Sequence, residues 1–269
     1  MDRDEQEPQV IDPNTPSVAR MYDYYLGGKD NFPSDREAAE KIIALVPTIK
    51  QIARDNRDFL IRVVRTLTAA GIRQFIDIGA GLPTRQNVHE VALESAPDSR
   101  IVYVDNDPIV LAHARALLAA SPQTIVVRAD LRDPGSILDA PDVRAHLDFT
   151  EPVAVLLFAI LHFVPDDKEA EAIISGLRAP LAGGSYLALS HSYAGDMTGA
   201  ALTSGRSVYR AATSGSLTPR TACQVGAYFE GLDLLEPGVV PIDAWRPDWH
   251  DVEPDFGKPG LLGGVARIP

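Results

Sequence analysis

The residues best placed to do chemistry in this chain are two carboxylates at the ends of apolar segments, separated by a glycine turn. Phe75-Ile76-Asp77-Ile78 runs into Gly79-Ala80-Gly81, so Asp77 sits just before the first glycine. Glycines at such a point let a strand turn sharply into a helix and let a ligand approach bare backbone. A carboxylate beside them suits a cationic group, such as the amine of an amino acid, better than a pyrophosphate. Asp105 closes the next apolar run, Ile101-Val102-Tyr103-Val104, about 24 residues on, where an acid accepts hydrogen bonds from ribose hydroxyls. Together these features describe a nucleoside with an amino-acid tail, and S-adenosylmethionine is such a molecule.

Other residues join this set. Asn106 and Asp107 can present polar groups to an adenine edge. Asp130, after the run at 124–127, can accept from the adenine amine while Leu131 packs on the ring, or it can cap the segment that follows; both readings stand. The run from Pro152 ends at Phe158 and Ala159, which fall on the carboxyl edge of the sheet, where open α/β folds bind ligands. His162 follows, a candidate general base for an acceptor hydroxyl or a residue that only closes the pocket. His191 and Tyr193 lie on the same edge and are candidates for contact with the acceptor, His191 as an alternative base. Near the N-terminus, Tyr22-Asp23-Tyr24-Tyr25-Leu26-Gly27-Gly28-Lys29-Asp30-Asn31-Phe32 is denser in functional side chains than a capped helix needs. It is expected to cover the cofactor pocket, with Tyr22 and Lys29 or Asp30 reaching inwards.

Competing ligands and roles differ in what they require. A dinucleotide fingerprint would carry glycine or alanine at residue 84; the chain has Thr84 after Pro83, which argues against a nicotinamide enzyme. No Asp/Asn-Pro-Pro-aromatic motif suited to flat exocyclic amines occurs, which disfavours nucleic-acid methylation. A non-catalytic module that senses the cofactor would have Tyr22, Phe158 or His162 filling the space beside the sulfonium. An enzyme would leave an acceptor-sized cavity there.

The elements that position these residues follow from periodicity. Residues 1–16 are polar and proline-bearing, an expected flexible arm. Residues 17–70 carry three helical patterns: from Ser17 to the Gly27-Gly28 break, from Ser34 or Asp35 to Val46, and from about Thr48 to Ala70. From residue 71 strands and helices alternate, with strands expected at 75–78, 101–104, 124–127, 152–158, 186–189, 232–235 and 261–268. Asn87 with Glu90 reads as a capping box, Asp166 opens a helix, and Thr218-Pro219 is expected to start another ending near Gly231. The glycine- and serine-rich stretch from Ala194 to Ser216 reads as a mobile lid or a surface excursion. Apolar strands interleaved with amphipathic helices imply a parallel sheet covered on both faces.

Composition limits the partners. A net charge of −12 disfavours broad nucleic-acid or anionic-membrane binding. The single cysteine, Cys223, has no metal-ligand cluster around it, and no metal is expected. No apolar run approaches bilayer length, and the N-terminus lacks a signal-peptide layout, so a cytoplasmic protein is expected.

The turn DIGAG, Asp105, Asp130, the segment LHFVPD and Leu181-Ala182-Gly183-Gly184-Ser185-Tyr186-Leu187 together resemble class I S-adenosylmethionine-dependent methyltransferases. More narrowly, ARMYDYYLGGKDNF with DIGAGLPT and FEGLDLLEPGVVPIDAW resembles a bacterial S-adenosyl methyltransferase family long carried as a domain of unknown function. The resemblance implies an α/β Rossmann-like fold with a seven-stranded, mostly parallel sheet, its last strand antiparallel, and added N-terminal helices. It implies Asp77, Gly79 and Gly81 at the methionine part of the cofactor, Asp105 at the ribose, and Asn106, Asp130 and Leu131 at the adenine. Residues 71–269 would be the cofactor-binding core. The acceptor is expected to be a small molecule, which the family does not name.

Overall fold

Short, continuous apolar runs place the first five strands side by side in a sheet whose faces are both covered. The computed structural model describes residues 12–83, 86–118, 121–213, 215–248 and 252–269; most of the expected arm and Thr84 lie outside them. Three helices come first, α1 (Val18–Leu26), α2 (Pro33–Leu45) and α3 (Ile49–Ala69). Then follow β1 (Gln74–Ile78), α4 (Val88–Ser95), β2 (Arg100–Asp105), α5 (Pro108–Leu118), β3 (Thr124–Arg128), α6 (Pro134–Leu138), α7 (Pro141–His146), β4 (Ala154–Phe158), α8 (Asp167–Arg178) and β5 (Tyr186–Tyr193). The chain ends with α9 (Gly199–Arg210), α10 (Ala222–Ala227), β6 (Asp233–Leu234), β7 (Val240–Pro241) and β8 (Gly260–Arg267).

The strand order is β3-β2-β1-β4-β5-β8-β6, with β7 also paired to β8. Strands β1 to β5 are parallel, and β8 runs antiparallel to β5 along its full length. Among the described residues there are eight strands rather than the seven expected, because Val240–Pro241 forms a pair with Gly263–Leu262 that is too short to read from sequence. β6 and β7 lie end to end on the same edge of β8, so the sheet is still seven strands wide. The order reverses between β1 and β4, which opens a crevice beyond their carboxyl ends.

Two apolar layers sandwich the sheet. One packs Phe59, Val63 and Leu67 of α3 and Val88 and Val91 of α4 against Phe75, Leu156 and Trp245. The other packs Ile173, Ile174 and Leu177 of α8 and Val225 of α10 against Val155, Leu157 and Leu189. A third cluster joins Met21 and Tyr25 of α1, Ala39 and Ile42 of α2, and Tyr209 of α9. Among the described residues no helix is long and apolar enough to cross a membrane.

Two local expectations need correction, and a third stretch gains detail. The stretch read as a mobile lid or a surface excursion contains a capped helix, α9, with Thr198 accepting from the Ala201 N–H at 3.3 Å. Ala201, Leu202, Gly205, Val208 and Tyr209 recur at helical spacing on its covered side, and the glycines masked that period. The helix expected from Thr218-Pro219 starts later, capped by Thr221 with Gln224. Residues before it are instead held extended, with Thr218 N–H donating to His162 O and Arg220 N–H to Ser192 O. Lys29 and Asp30 are exposed and do not line the crevice; the Gly-Gly motif serves the turn itself. Buried Asp23 accepts from Asp30 N–H at 3.0 Å and Asn31 Nδ2 at 2.8 Å, and it packs where a side chain at Gly28 would stand.

The N-terminal helices are locked by one carboxylate. Fully buried Asp35 accepts from Ser17 N–H at 2.8 Å, Phe32 N–H at 2.7 Å and Arg20 Nε at 2.7 Å. Removing it would leave the buried Arg20 guanidinium without its counter-charge. Asp35→Ala is therefore expected to cost roughly 3–5 kcal/mol of stability, seen as a lower midpoint in urea unfolding; an unchanged midpoint would contradict the clasp.

Candidate active site

The crevice at the reversal of strand order is a cleft of about 1110 Å³. Its floor is the glycine turn after β1. Gly79 (φ 76°) and Gly81 (φ 66°) both adopt left-handed backbone that disfavours a side chain. A Cβ on Gly79 would also meet Ile160 Cγ1 at 2.6 Å, whereas the side of Gly81 is open. The Gly79 and Ala80 N–H groups donate to Val104 O, at 2.8 and 3.3 Å, which fixes the turn against β2.

Asp77 and Asp105 flank this turn. Asp77 is buried and makes no hydrogen bond among the described residues, yet it lines the cleft. Burial pushes its pKa from 3.8 up to about 7, with nearby Arg57 opposing and Asp105 adding to the rise. Asp105 accepts from Gly81 N–H and Asp107 N–H, each at 2.9 Å, and its pKa is also raised by burial against those hydrogen bonds. Further along, Asn106 Nδ2 donates to Asp130 at 3.3 Å, and Arg132 pairs with Asp130 at the same distance. Leu131 borders a recess of about 70 Å³ that shares Asn106, Asp105 and Asp130 with the cleft. The N-terminal segment crosses above, with Ser17 Oγ donating to Asp107 at 2.7 Å and Thr213 N–H to Pro16 O at 3.0 Å.

The structure thus gathers Tyr22, Asp77, Gly79, Gly81, Asp105, Asn106, Asp130, Phe158 and Ala159 around one cleft, with Leu131 at its border. An unpaired carboxylate, an open glycine and a second acid on the far side of the turn fit a ligand with a cationic end and hydroxyls. The volume slightly exceeds the roughly 300–1,000 Å³ usual for small-molecule sites, enough for a nucleoside with its tail.

A second cavity, about 130 Å³ and mostly apolar, lies beyond Tyr22 and Ala159, which line both spaces. It is open; neither Tyr22 nor His162 fills it. The dividing wall is set by a buried polar chain. Ala159 holds an unfavourable φ of 54°, with its N–H donating to Ser190 Oγ at 2.9 Å. Ser190 Oγ donates to Asn56 Oδ1 at 2.6 Å, Asn56 Nδ2 to Tyr22 Oη at 3.1 Å, and Tyr22 Oη to Ala53 O at 3.0 Å. Asn56 and Ser190 were not singled out in the sequence. Asn56 left a signal, a polar residue inside the apolar stripe Ala53, Leu60, Val63 and Leu67 of α3; Ser190 left none.

The histidines differ. His162 lines the second cavity and accepts the Ser192 N–H on Nδ1 at 3.2 Å, so its ring proton sits on Nε2. Burial, with His191 and Arg220 adding to it, holds its pKa well below the usual imidazole range. His191 lines neither space. Its Nδ1 donates to Ser192 O and its Nε2 accepts from Arg220 Nη1, each at 2.9 Å, and its pKa falls to about 4 chiefly through burial. Buried Arg220, also outside the sequence reading, ties this pair to Asp167 at 2.8 Å. Tyr193 lines the second cavity, its hydroxyl donating to Asp255 O at 3.0 Å.

Comparison with known proteins identifies the family and the fold. The model of a family described as S-adenosyl methyltransferase matches residues 4–269. A DUF574 family protein from Streptomyces avermitilis MA-4680 is 43% identical, with 97% of this chain and 100% of that one covered and a TM-score of 0.89. A putative methyltransferase from Thermobifida fusca YX is 41% identical over 98% and 99% of the two chains, also at 0.89. The N-methyltransferase NodS from Bradyrhizobium japonicum, solved with S-adenosyl-L-homocysteine, shares the fold at 15% identity and a TM-score of 0.51, covering 93% and 99%. No match is found among the curated proteins. The chain belongs to the S-adenosyl methyltransferase family and is an S-adenosylmethionine-dependent methyltransferase.

Proposed function

We propose that this methyltransferase acts on a small molecule in the cytoplasm, with the cofactor in the large cleft and the acceptor in the apolar cavity. The observation that carries this reading is the shared wall: Tyr22 and Ala159 belong to both spaces, so two ligands would meet there. A cavity of about 130 Å³ has no room for a nucleic-acid base with its backbone or for a folded protein segment, and the charge of −12 opposes polyanions.

Bound, S-adenosylmethionine supplies an electrophilic methyl group on a sulfonium. The chain's own groups bind and orient. Asp77 accepts from the ammonium of the amino-acid tail, and the open face of Gly81 lets that tail approach backbone. Asp105 accepts from the ribose hydroxyls; Asn106 and Asp130 meet the adenine edge, and Leu131 its face. Phe158, Ala159 and Tyr22 form the wall near the reacting methyl, where an aromatic face favours positive charge. Residues 17–70 act as a cover that excludes water from the core at 71–269, strengthening these interactions and positioning the reactants. His162 touches the acceptor, and His191 holds His162 in place from behind, their ring centres 5.6 Å apart.

Two measurements test the cofactor assignments. Asp105→Ala should weaken S-adenosylhomocysteine binding about 10- to 100-fold by calorimetry, the loss of one or two hydrogen bonds to a charged group; unchanged affinity would remove Asp105 from the ribose site. Asp77 predicts a pH dependence. Its folded pKa lies above the unfolded value, so its contribution to stability is greatest at low pH and is lost as pH rises from 3.8 towards about 7. An ammonium ligand needs the ionised form. Affinity for S-adenosylhomocysteine should therefore climb as pH rises towards about 7 and level off above it, with a proton released on binding on the acid side. Asp77→Asn should bind more weakly and flatten that profile; a profile of the same shape in the variant would refute the assignment.

A further inference from the structure

The acceptor cavity is apolar on nearly every side. Tyr25, Ile42, Leu45, Ile49, Leu202 and Leu217 bring walls from α1, α2, α3 and α9 and from the segment before α10. At about 130 Å³ it compares with the roughly 150 Å³ engineered cavity that takes up benzene, so one ring fits.

Its polar atoms can be accounted for one by one. The Tyr22 hydroxyl is committed to Ala53 and Asn56. The Tyr25 and Tyr209 hydroxyls face each other at 3.4 Å, and Tyr193 donates to Asp255 O. His162 Nε2 has no partner among the described residues, and it carries a hydrogen because Nδ1 is occupied by the Ser192 N–H. Ser192 also lines the wall, and its hydroxyl is a donor that holds its proton at neutral pH. Exposed Arg206 stands on the α9 side. Of these side-chain groups, the His162 Nε2–H and Arg206 only donate, the hydroxyls both donate and accept, and none takes up a proton at neutral pH.

A nucleophile entering this cavity must arrive already deprotonated. We propose that the acceptor is a one-ring carboxylate, with one oxygen held by His162 Nε2–H and the other left free to attack. A carboxylate is ionised at neutral pH without help, whereas a phenol keeps its proton. An ammonium has no lone pair with which to attack, and a neutral amine that accepts the histidine N–H spends its single lone pair there. The transfer balances without a proton: an oxygen lone pair forms the O–CH3 bond, the S–CH3 electrons return to sulfur, and carboxylate and sulfonium become ester and thioether. His162 is then an orienting donor rather than a base. This inference rests on the cofactor lying in the neighbouring cleft.

Calorimetry on the full chain, first saturated with S-adenosylhomocysteine, tests it with three probes of similar size: benzoate, benzyl alcohol and benzylammonium. Benzoate should bind about tenfold more tightly than either of the others. His162→Phe should abolish that preference, while His162→Gln, which retains an N–H donor, should keep most of it. Benzyl alcohol or benzylammonium matching benzoate would overturn the proposal, as would a preference that survives in His162→Phe or no binding by any probe. The initial titration separates the two readings: lack of S-adenosylhomocysteine binding sinks the cofactor site, and the probe ranking is then read in the cofactor-free protein.

Discussion

A single line of buried hydrogen bonds, from Ala159 through Ser190 and Asn56 to Tyr22 and Ala53, decides where the two cavities end and meet. Each member is satisfied by the next, which makes five polar side-chain and backbone groups tolerable inside an apolar interior. It also joins three separate pieces of the fold: α1, α3 and the carboxyl edge of β4 and β5. Ala159 keeps its strained conformation because Ser190 holds its N–H. The Tyr22 hydroxyl is bonded on two sides, to Ala53 O and Asn56 Nδ2. Without the line, the wall between the spaces would have no fixed position.

The cleft itself is an unbalanced arrangement of charge. Burial raises the pKa of both Asp77 and Asp105; the Asp105 charge adds to the rise at Asp77, and Arg57 offsets that rise only in part. Structural acids elsewhere in the chain are treated differently: Asp35 and Asp23 are buried with multiple donors around them. An acid kept buried but unbonded costs free energy in the empty protein, and a cationic ligand recovers that cost on binding. The contrast between Asp35 and Asp77 separates a group that holds the fold from one that waits for a ligand.

Much of the sheet could be read from the chain because its strands are short apolar runs ended by glycine or acid. The turn at Gly79 and the acids at 77, 105 and 130 were legible for the same reason: type and spacing alone place them on one edge. Less was visible where function depends on partners distant in sequence. Asn56 and Ser190 are 134 residues apart, and nothing in either neighbourhood announces the pairing. The histidines were visible as residues, but which nitrogen carries the proton depends on the Ser192 N–H and on Arg220. The dense motif around Gly27 and Gly28 reads as a cover whose Lys29 or Asp30 reaches inwards; instead Asp23 holds the Asp30 N–H and the Asn31 amide to close a bend, a use that composition does not announce. Helix α9 was hidden because small residues dilute its apolar period.

The broken outer border of the sheet has a consequence of another kind. Strand β8 spans eight residues and is mostly buried, a flat template that a second polypeptide could extend if its far side were bare. Two strands of two residues each occupy that side in succession, and Pro241 in the second cannot donate to another chain. What remains outermost is too short and too interrupted to recruit a stranger. The interruption that hid β7 from the sequence reading is thus also a safeguard against aggregation.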